Sequence, residues 1–381
     1  MNDAAGTPAA TRVAIVGAGR VGLALADMLR AGGGYSVLVA DCTEEALANA
    51  RARGHEAVHA DASRIEDLRA AVAGCDVVVA AVPDLVTAKV AEAAAEAGAH
   101  YLDFSPPDPR TEAFRERLAP GRAFLDGCGV SPGLADLAAI ELAAGFPGAV
   151  DLVVRVGAIP ARRTNRLGYG LIWNLDGLLA EYTAPCEAIE DGARVMLPAL
   201  SQREEFTLGG VAYEAFCTAG GLGSLIGRVG SNVRSLVFRT IRYPGHVDYM
   251  QFLLDDLGLR HRRDLLLTVL RNGLRPVEDD VVLVYVTARG EIEGAAAERS
   301  VVLRVEPKAG DLEAGGAGHP NALALGSAAH AAGLLDLVCG EGRAGRTAAP
   351  EGRAHLRQLL DNRFLKGVVE LDTGRDFVRE A

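Results

Sequence analysis

A glycine-rich segment near the amino terminus has the spacing of a dinucleotide-binding loop. The motif GAGRVG occupies Gly17–Gly22, after a short β-branched run and before a helical stretch. In such a loop the first glycine allows a tight turn, the second lets backbone N–H groups approach a pyrophosphate, and the third lets helix and strand pack closely. The helix N-terminus then presents partial positive charge to the phosphates. The motif therefore predicts a nucleotide cofactor.

An acidic residue at the end of the second predicted strand favours NAD over NADP. Asp41 directly follows the apolar run Ser36–Ala40. A carboxylate at this position accepts hydrogen bonds from the adenosine ribose hydroxyls and repels a 2′-phosphate. A glycine turn that binds no dinucleotide, or one that binds FAD or S-adenosylmethionine, stays open as the alternative.

Further candidates follow the carboxyl ends of the predicted strands, where open α/β sheets bind their ligands. We expect Asp61 near the adenine, and Pro83 and Ser105 beside the nicotinamide. For each of them a residue that only caps a strand or helix is the alternative. The residues predicted to bind the cofactor are Gly17, Gly19, Arg20, Val21, Gly22, Asp41, Asp61, Ala81, Val82, Pro83 and Ser105.

The first third of the chain alternates short β-branched runs with helical stretches, which predicts a parallel sheet with crossover helices. Six strands fit one doubly wound domain. They are expected at Val13–Val16, Ser36–Ala40, Ala57–Ala60, Val77–Val82, Tyr101–Phe104 and Ala123–Asp126. The helices are expected at Val21–Ala31, Thr43–Arg53, Ile65–Ala73, Val86–Ala97 and Pro109–Leu118.

From Asp151 onward, runs rich in Val, Tyr and Phe follow one another between turn residues, which predicts a mostly antiparallel sheet. Its strands are expected at Leu152–Ala158, Glu205–Leu208, Val211–Phe216, Ser235–Tyr243, Val281–Ala288 and Val301–Val305. Helices are expected at Leu178–Tyr182, at Tyr249–Leu257 running on through Arg262–Arg271, at Ala322–Leu337 and at Ala354–Asp361, with a loop at Lys308–Gly318. The predicted domains are residues 10–130, residues 131–321, and a C-terminal helical segment, residues 322–381, that returns to the first domain.

The composition is that of a globular protein with an acidic surface. The chain has 381 residues, 49% hydrophobic and 23% charged, and its net charge of −11 disfavours nucleic acid and anionic membranes as partners. Apolar runs such as Cys75–Pro83 are far shorter than the roughly 20 residues of a membrane span. Met1–Thr11 lacks the basic start and apolar centre of a signal peptide, and the cysteines are spread singly. We therefore expect a cytoplasmic protein without disulfides or a metal site.

Further sequence blocks stand in a fixed order along the chain. They are Cys75–Pro83, Tyr101–Ser105, Cys128–Leu134, Leu167–Gly170, Trp173, Glu181-Tyr182, Gly220–Gly223 and Arg239–His246. Together they resemble the saccharopine dehydrogenase family over nearly the whole chain, and the last block is the most specific. The branch that contains bacterial lysine 6-dehydrogenase is the most similar, with carboxynorspermidine dehydrogenase nearby.

The resemblance implies a Rossmann domain, a second α+β domain that covers the cofactor and mediates homodimerisation, and chemistry at a carbon–nitrogen bond of a small amino acid or amine. Lysine 6-dehydrogenase oxidises the ε-amine with NAD to a semialdehyde that cyclises. The saccharopine-forming relatives instead reduce an imine between a carbonyl compound and an amine. Ser131 stands where fungal saccharopine reductases carry aspartate, which makes saccharopine the less favoured substrate. Arg166 and Asn174 also depart from the family pattern, so a substrate other than plain lysine stays open.

Oxidation of an amine requires an unprotonated nitrogen, so a base with a pKa near the operating pH is expected. His246 titrates near neutrality when unperturbed and is one candidate. Asp103 lies at the carboxyl end of a strand and is the other, either to hold the substrate ammonium or to take its proton. Tyr169 and Thr240 are candidates to relay or donate hydrogen bonds. Cys128 is a candidate at the substrate, although a free cysteine is more often a small buried hydrophobic residue.

The carboxylate of an amino-acid substrate favours an arginine as its partner. Arg242 is the first choice and Arg166 the second, while Trp173 is a candidate to line the pocket. A structural ion pair of Arg242, a solvated Arg166 and a structural turn role for His246 are the alternatives. A non-catalytic NAD-binding regulator is the alternative to an enzyme, because the fold alone does not decide function.

Overall fold

The computed structural model describes residues 10–223, 225–307, 320–339 and 355–372 and the backbone of residues 377–378. The predicted loop Lys308–Gly318 lies outside these residues. The chain divides into two compact units. Of the described residues, 10–128, 327–339 and 362–364 belong to the first unit, and the others belong to the second.

The elements are numbered here in chain order. The strands are β1 (Thr11–Val16), β2 (Tyr35–Asp41), β3 (Glu56–His59), β4 (Val77–Ala80), β5 (His100–Asp103), β6 (Phe124–Leu125), β7 (Val150–Pro160), β8 (Cys186–Glu190), β9 (Ala193–Leu197), β10 (Glu204–Leu208), β11 (Val211–Cys217), β12 (Val233–Arg242), β13 (Asp280–Ile292), β14 (Ala295–Val305), β15 (Val369–Asp372) and β16 (Phe377–Val378). The helices are α1 (Arg20–Gly32), α2 (Glu44–Ala52), α3 (Ile65–Val72), α4 (Asp84–Ala97), α5 (Pro109–Glu112), α6 (Leu134–Ala144), α7 (Leu175–Thr183), α8 (His246–Gln251), α9 (Arg263–Gly273), α10 (Ala322–Cys339) and α11 (Leu356–Leu360).

The sheet of the first unit is parallel throughout, in the order β3-β2-β1-β4-β5-β6. Every residue of Val13–Val16 and of Val77–Ala80 is buried, so the central strands are covered on both faces and their sequences are continuous apolar runs. This doubly wound order reverses between β1 and β4, where ligands bind beyond the carboxyl ends of the strands. The six predicted strands are confirmed. The predicted helix Pro109–Leu118 is instead α5 followed by a 3₁₀ turn at Arg115–Arg117.

The sheet of the second unit has ten strands and is mostly antiparallel, as predicted. The order of its main strands is β10-β11-β12-β7-β13-β14-β15. In addition, β8 pairs with β12 and with β9, and β16 pairs with β14. Among the described strands, β12 and β7 form the single parallel pair. The predicted fold class, a doubly wound parallel sheet with a second α+β domain, is therefore confirmed.

Four strands and one helix of this unit were not predicted, namely β8, β9, β15 and β16, and the helix α6. The strands β8 and β9 form a hairpin around Asp191-Gly192, whose φ angles are 49° and 76°. Asp-Gly is a strong hairpin signal, but each strand has only five residues, and Glu187, Glu190 and Arg194 interrupt their apolar pattern. The helix α6 is apolar on nearly every side, so its sequence lacks the period of an amphipathic helix.

The helical stretch predicted from Tyr249 through Arg271 is interrupted. The helix α8 passes into a π-helical turn at Phe252–Asp256, and a 3₁₀ turn at Leu259–His261 precedes α9. Gly258 adopts the left-handed conformation between them, with a φ of 64°, and so ends the first segment. Both helices bury apolar side chains in one core cluster with residues of α7.

The C-terminal segment is divided between the units rather than returning as a whole to the first. The helix α10 belongs to the first unit from Ser327 onward, whereas α11 and β15 belong to the second. The reason is that Val369–Asp372 pairs with the edge of β14. By length and composition α10 is the one helix in the described chain that would reach across a membrane, but 61% of it is buried inside the protein.

Candidate active site

The loop Gly17–Gly22 connects β1 to α1 as the motif predicts. Gly17 has a φ of 107°, and a Cβ there would lie 2.2 Å from the Ala81 carbonyl oxygen. A Cβ at Gly22 would lie 2.0 Å from the Gly17 carbonyl oxygen. At Gly19, by contrast, a Cβ would meet no described atom within 4 Å apart from its chain neighbours. The protein itself therefore excludes side chains at the first and third glycines, and the second leaves open space for a phosphate.

Asp41, at the end of β2, contacts the same loop. Its Oδ2 accepts the Ala18 N–H at 2.8 Å, and its Oδ1 accepts the backbone N–H and the hydroxyl of Thr43, each at 2.9 Å. A carboxylate offers about four acceptor positions, so one on Oδ2 remains for a ribose hydroxyl. Together with the open backbone at Gly19, this carboxylate makes the residues present fit a dinucleotide.

The other residues predicted to bind the cofactor open α1 or follow β3, β4 and β5. They are Arg20, Val21, Asp61, Ala81, Val82, Pro83 and Ser105. The Asp61 carboxylate accepts the Ser63 N–H at 2.8 Å, and the Ser105 hydroxyl donates to the Asp84 carboxylate at 2.7 Å. The first bond lies within a turn, and the second joins the segment after β5 to the start of α4. The roles of these residues at the cofactor stay predictions.

Asp103 ends β5 and is only 1% exposed. Its Oδ2 accepts the Tyr101 hydroxyl at 2.8 Å, and its Oδ1 accepts the Ser105 N–H at 3.1 Å. Burial raises its pKa to about 7, although the bond from Tyr101 opposes the shift. Asp103 therefore holds the segment after β5 in place through these bonds, and the role predicted for it stays a prediction. Cys128 is also buried, with Sγ 3.5 Å from the Leu125 carbonyl oxygen.

A chain of hydrogen bonds runs through the interior of the second unit. The Arg242 Nε donates to the Tyr182 hydroxyl at 2.8 Å, and that hydroxyl lies 3.0 Å from the His246 Nε2. The His246 Nδ1 lies 2.8 Å from the Leu167 carbonyl oxygen. Because a carbonyl only accepts, Nδ1 carries the proton and Nε2 accepts from Tyr182. Each group in the chain is thereby fixed by the next.

Aromatic rings surround the Arg242 guanidinium. Its central carbon lies 4.7 Å from the Tyr169 ring centroid and 5.8 Å from that of Tyr182. The Trp173 Nε1 donates to the Tyr169 hydroxyl at 3.1 Å. Arg242 is 3% exposed, and among the described residues no carboxylate lies within 4 Å of its nitrogens. A buried guanidinium in this state keeps the capacity to bind a carboxylate.

A buried carboxylate that was not predicted positions the start of α8 and with it His246. Glu214 accepts the N–H groups of Gly245 and Val247 at 3.0 and 2.7 Å. It is 0% exposed and pairs with Arg203 at 2.8 Å. No sequence pattern marks Glu214, because it lies in the middle of the ordinary strand β11.

Two family models together match most of the chain. Residues 13–120 match the saccharopine dehydrogenase NADP binding domain, and residues 129–337 match the saccharopine dehydrogenase C-terminal domain. The chain belongs to the saccharopine dehydrogenase family. The first unit is accordingly an NAD(P)-binding Rossmann domain, and the family indicates dehydrogenase chemistry at an amino-acid CH–NH group.

One solved structure shows the same fold over nearly the whole chain. Apo saccharopine dehydrogenase (L-Glu forming) from Saccharomyces cerevisiae matches with a TM-score of 0.80 at 16% identity, over 96% of this chain and 100% of that chain. Biliverdin reductase from Synechocystis sp. PCC 6803 matches with a TM-score of 0.38 at 14% identity, over 94% of this chain and 96% of that chain. Triphenylmethane reductase from Citrobacter sp. matches with a TM-score of 0.25 at 22% identity, over 29% of this chain and 48% of that chain.

In this member of the saccharopine dehydrogenase family, the predicted catalytic and substrate residues fall in both units. Asp103 and Cys128 lie in the first, and the others lie in the second. The structure brings Tyr169, Trp173, Arg242 and His246 together, as described above. Thr240 lies on β12, where its buried hydroxyl is 2.7 Å from that of Thr218. Arg166 is exposed on the loop before α7.

His246 does not fit the base role predicted for it. It is 0% exposed, and both ring nitrogens are hydrogen-bonded. Burial, reinforced by the positive charge of Arg242, lowers its pKa to about 3. The imidazole is therefore neutral at neutral pH and closed to a ligand, and its position suits it to hold the Tyr182 hydroxyl against Arg242.

Glu181, like the neighbouring Tyr182, received no role from the sequence. Its side chain is partly exposed on α7, and no described residue donates a hydrogen bond to its carboxylate. Burial raises its pKa to about 7, against the lowering effect of Arg242. The only sequence signal was its place beside Tyr182 in a family block.

Proposed function

We propose that the protein is an NAD-dependent oxidoreductase acting on a carbon–nitrogen bond of an amino acid. The reaction resembles that of L-lysine 6-dehydrogenase, in which a terminal amine is oxidised to a semialdehyde that forms a cyclic imine. The observation that carries the proposal is the Arg242 guanidinium, which is buried, packed against Tyr169 and without a carboxylate partner among the described residues. An amino-acid carboxylate supplies the missing partner.

Arg242 binds this carboxylate in a fixed orientation. Its Nε is held by Tyr182, and its Nη1 donates to the Ile241 carbonyl oxygen at 2.8 Å. The Nη2 group has no acceptor among the described residues and faces the substrate. Because the planar guanidinium is held in place by the protein, little conformational freedom is lost when a carboxylate binds. His246 contributes by fixing the Tyr182 hydroxyl.

Asp41 supports NAD as the cofactor. Its remaining acceptor position suits a ribose hydroxyl, whereas a 2′-phosphate would meet a carboxylate that Ala18 and Thr43 hold in place. The open backbone at Gly19 leaves room for the pyrophosphate. When bound, the nicotinamide accepts a hydride from the substrate carbon.

The first experiment mixes the purified protein with NAD or NADP and L-lysine, ornithine or other diamino acids, and follows the absorbance of the reduced nicotinamide. We expect turnover that is faster with NAD. Arg242→Lys should lower kcat/KM for the amino acid by about 10- to 100-fold, because a lysine loses the bidentate geometry. Arg162→Lys, a change on an exposed loop, is the matched control.

If none of these amino acids is oxidised although calorimetry shows that NAD binds, the oxidative proposal is refuted. Reduced cofactor, an amine and a carbonyl acid then test the alternative, the saccharopine- or carboxynorspermidine-type reductive condensation. Failure of both assays with intact NAD binding would favour a non-catalytic NAD-binding regulator. The proposal includes a cytoplasmic homodimer without nucleic-acid or membrane partners, and light scattering on a sizing column tests the dimer.

A further inference from the structure

Thr43 begins α2 but does not cap it with its side chain. It is the N-cap residue, yet its hydroxyl oxygen accepts no backbone N–H of the helix. A threonine at this position usually does, because the first N–H groups of a helix have no partner within it. The hydroxyl instead donates to the Asp41 Oδ1 at 2.9 Å. Among the described residues no donor bonds to the hydroxyl oxygen, and the side chain is exposed.

Asp41 alone has too few free acceptor positions for both hydroxyls of an adenosine ribose. Its Oδ1 already accepts the N–H and the hydroxyl of Thr43, and its Oδ2 accepts the Ala18 N–H. A carboxylate oxygen offers about two acceptor positions, so a single one is left, on Oδ2. The second ribose hydroxyl needs another acceptor, and the Thr43 hydroxyl oxygen lies 2.9 Å from the same carboxylate.

We propose that the Thr43 hydroxyl oxygen accepts a hydrogen bond from the 2′-hydroxyl of the adenosine ribose of NAD, and that the Asp41 Oδ2 accepts one from the 3′-hydroxyl. Oδ2 bonds to Ala18 in the glycine loop, where the phosphates bind. The 3′-carbon is one bond nearer than the 2′-carbon to the carbons that carry these phosphates. The inference rests on the proposed function and deepens it, because it names a residue that selects the cofactor.

The direction of the bond between Thr43 and Asp41 makes this contact selective for a hydroxyl. A carboxylate only accepts, so the single proton of the Thr43 hydroxyl points to Oδ1 and its oxygen is left as an acceptor. A ribose 2′-hydroxyl donates to such an acceptor. In NADP the same ribose oxygen is esterified and has no proton to donate. Thr43 therefore distinguishes the two cofactors by hydrogen-bond polarity, in addition to the repulsion from Asp41.

The charges at the start of α2 also disfavour a phosphate beside Thr43. A helix N-terminus by itself attracts anions through its partial positive charge. Here Glu44 and Glu45 occupy the first turn. Glu44 pairs with Arg51, whereas no described cation pairs with Glu45 or Asp41. A neutral hydroxyl therefore fits this position better than a phosphate.

Three cofactors that differ by one hydroxyl test the assignment. They are NAD and its 2′-deoxy and 3′-deoxy forms, each changed at the adenosine ribose. Calorimetry with the full chain measures their Kd without turnover. Thr43→Val removes the hydroxyl and keeps the shape of the side chain, and Thr43→Ser keeps the hydroxyl. Thr207→Val, the same change at an exposed residue of β10 in the other unit, is the matched control.

We expect Thr43→Val to raise the Kd of NAD by about 3- to 10-fold, as for the loss of one neutral hydrogen bond. The Kd of 3′-deoxy-NAD should rise by the same factor, because this form keeps the 2′-hydroxyl. The Kd of 2′-deoxy-NAD should differ between Thr43→Val and the wild type by less than about twofold. Thr43→Ser should bind NAD as the wild type does, and Thr207→Val should alter none of the three.

The 2′-deoxy form separates direct contact from an effect on Asp41. If Thr43→Val weakens NAD and 2′-deoxy-NAD equally, Thr43 only orients the carboxylate and the inference is overturned. An unchanged Kd of NAD in this variant overturns it as well. If 3′-deoxy-NAD is the form that becomes insensitive to the substitution, the assignment of the two hydroxyls is wrong. Circular dichroism and urea unfolding check that the variants are folded.

The same titrations keep the inference separate from the proposed function. Binding of NAD that depends on Thr43 and on the 2′-hydroxyl, without turnover of any amino acid, would uphold the contact and refute the proposed reaction. Oxidation of an amino acid with NAD, together with equal weakening of NAD and 2′-deoxy-NAD, would refute the contact and uphold the reaction. A wild type that binds NADP but not NAD would refute the contact and the choice of NAD together.

Discussion

Asp103 should make the stability of the first unit fall as the pH rises. The residue is 1% exposed, and burial raises its pKa to about 7. In the unfolded chain its pKa is about 4. Between these values the native state keeps a proton that the unfolded state has released, so the free energy of unfolding decreases with increasing pH. A difference of about three pKa units corresponds to a loss of about 4 kcal/mol in the free energy of unfolding. The loss is absent below about pH 4 and complete above about pH 7.

The substitution Asp103→Asn removes this titration and keeps the shape of the side chain. The amide oxygen can still accept the Ser105 N–H, but the bond from Tyr101 is weakened. Near pH 5 we therefore expect the variant to be less stable than the wild type by about 1 kcal/mol. At pH 8 the order should reverse, because only the wild type then carries a buried charge.

Urea unfolding between pH 5 and 8 measures the effect. Trp173 lies in the second unit, so a change in far-UV circular dichroism without a change in tryptophan fluorescence reports the first unit. Asp84→Asn is the matched control, since that carboxylate is exposed and also bonds to Ser105. If the stability difference between Asp103→Asn and the wild type stays constant with pH to within about 0.5 kcal/mol, burial does not set the pKa of Asp103.

Three further predictions concern the glycine loop, the start of α8 and the cofactor. Gly22→Ala should destabilise the protein by about 1–3 kcal/mol in urea unfolding, because the new Cβ would lie 2.0 Å from a carbonyl oxygen. Gly19→Ala should leave the stability unchanged and weaken NAD binding, measured by calorimetry, about tenfold. Equal losses of stability in the two variants would contradict the geometry of the loop. Glu214→Gln should lower the free energy of unfolding, followed by tryptophan fluorescence in urea, by about 3 kcal/mol. Glu205 also pairs with Arg203 but is 67% exposed, so Glu205→Gln should lower it by less than about 1 kcal/mol. Asp41→Asn should raise the ratio of kcat/KM for NADP to that for NAD about tenfold, and an unchanged ratio would show that this carboxylate does not select the cofactor.

The first unit was predictable because its central strands are buried on both faces. A run such as Val77–Ala80 has no polar position to disturb it, and a glycine or a helix start follows each strand. In the second unit a strand such as β7 was found because it is long and β-branched. The hairpin β8–β9 was not found, because its strands have only five residues each, charged residues interrupt them, and only its turn carries a signal.

The candidate site was predictable only in part, because its geometry depends on contacts between distant segments. Arg242 was found within a family block, but its aromatic surroundings and its lack of a carboxylate partner among the described residues follow from contacts with the distant Tyr169 and Tyr182. Glu214 reaches the start of α8 across 33 residues of sequence. Neither property is a pattern in local sequence, so no spacing rule would have predicted it.

His246 and Glu181 show why residue type alone did not identify the titrating group of the second unit. A histidine has an unperturbed pKa near 6.5, and a glutamate one near 4.3. Burial disfavours the charged form of each, so the same environment shifts the two in opposite directions. It lowers the pKa of His246 to about 3 and raises that of Glu181 to about 7. The neighbouring Arg242 charge lowers both, which deepens the shift of the histidine and limits that of the glutamate. Of these two side chains, the one that changes charge near neutral pH is thus the Glu181 carboxylate, which is also partly exposed.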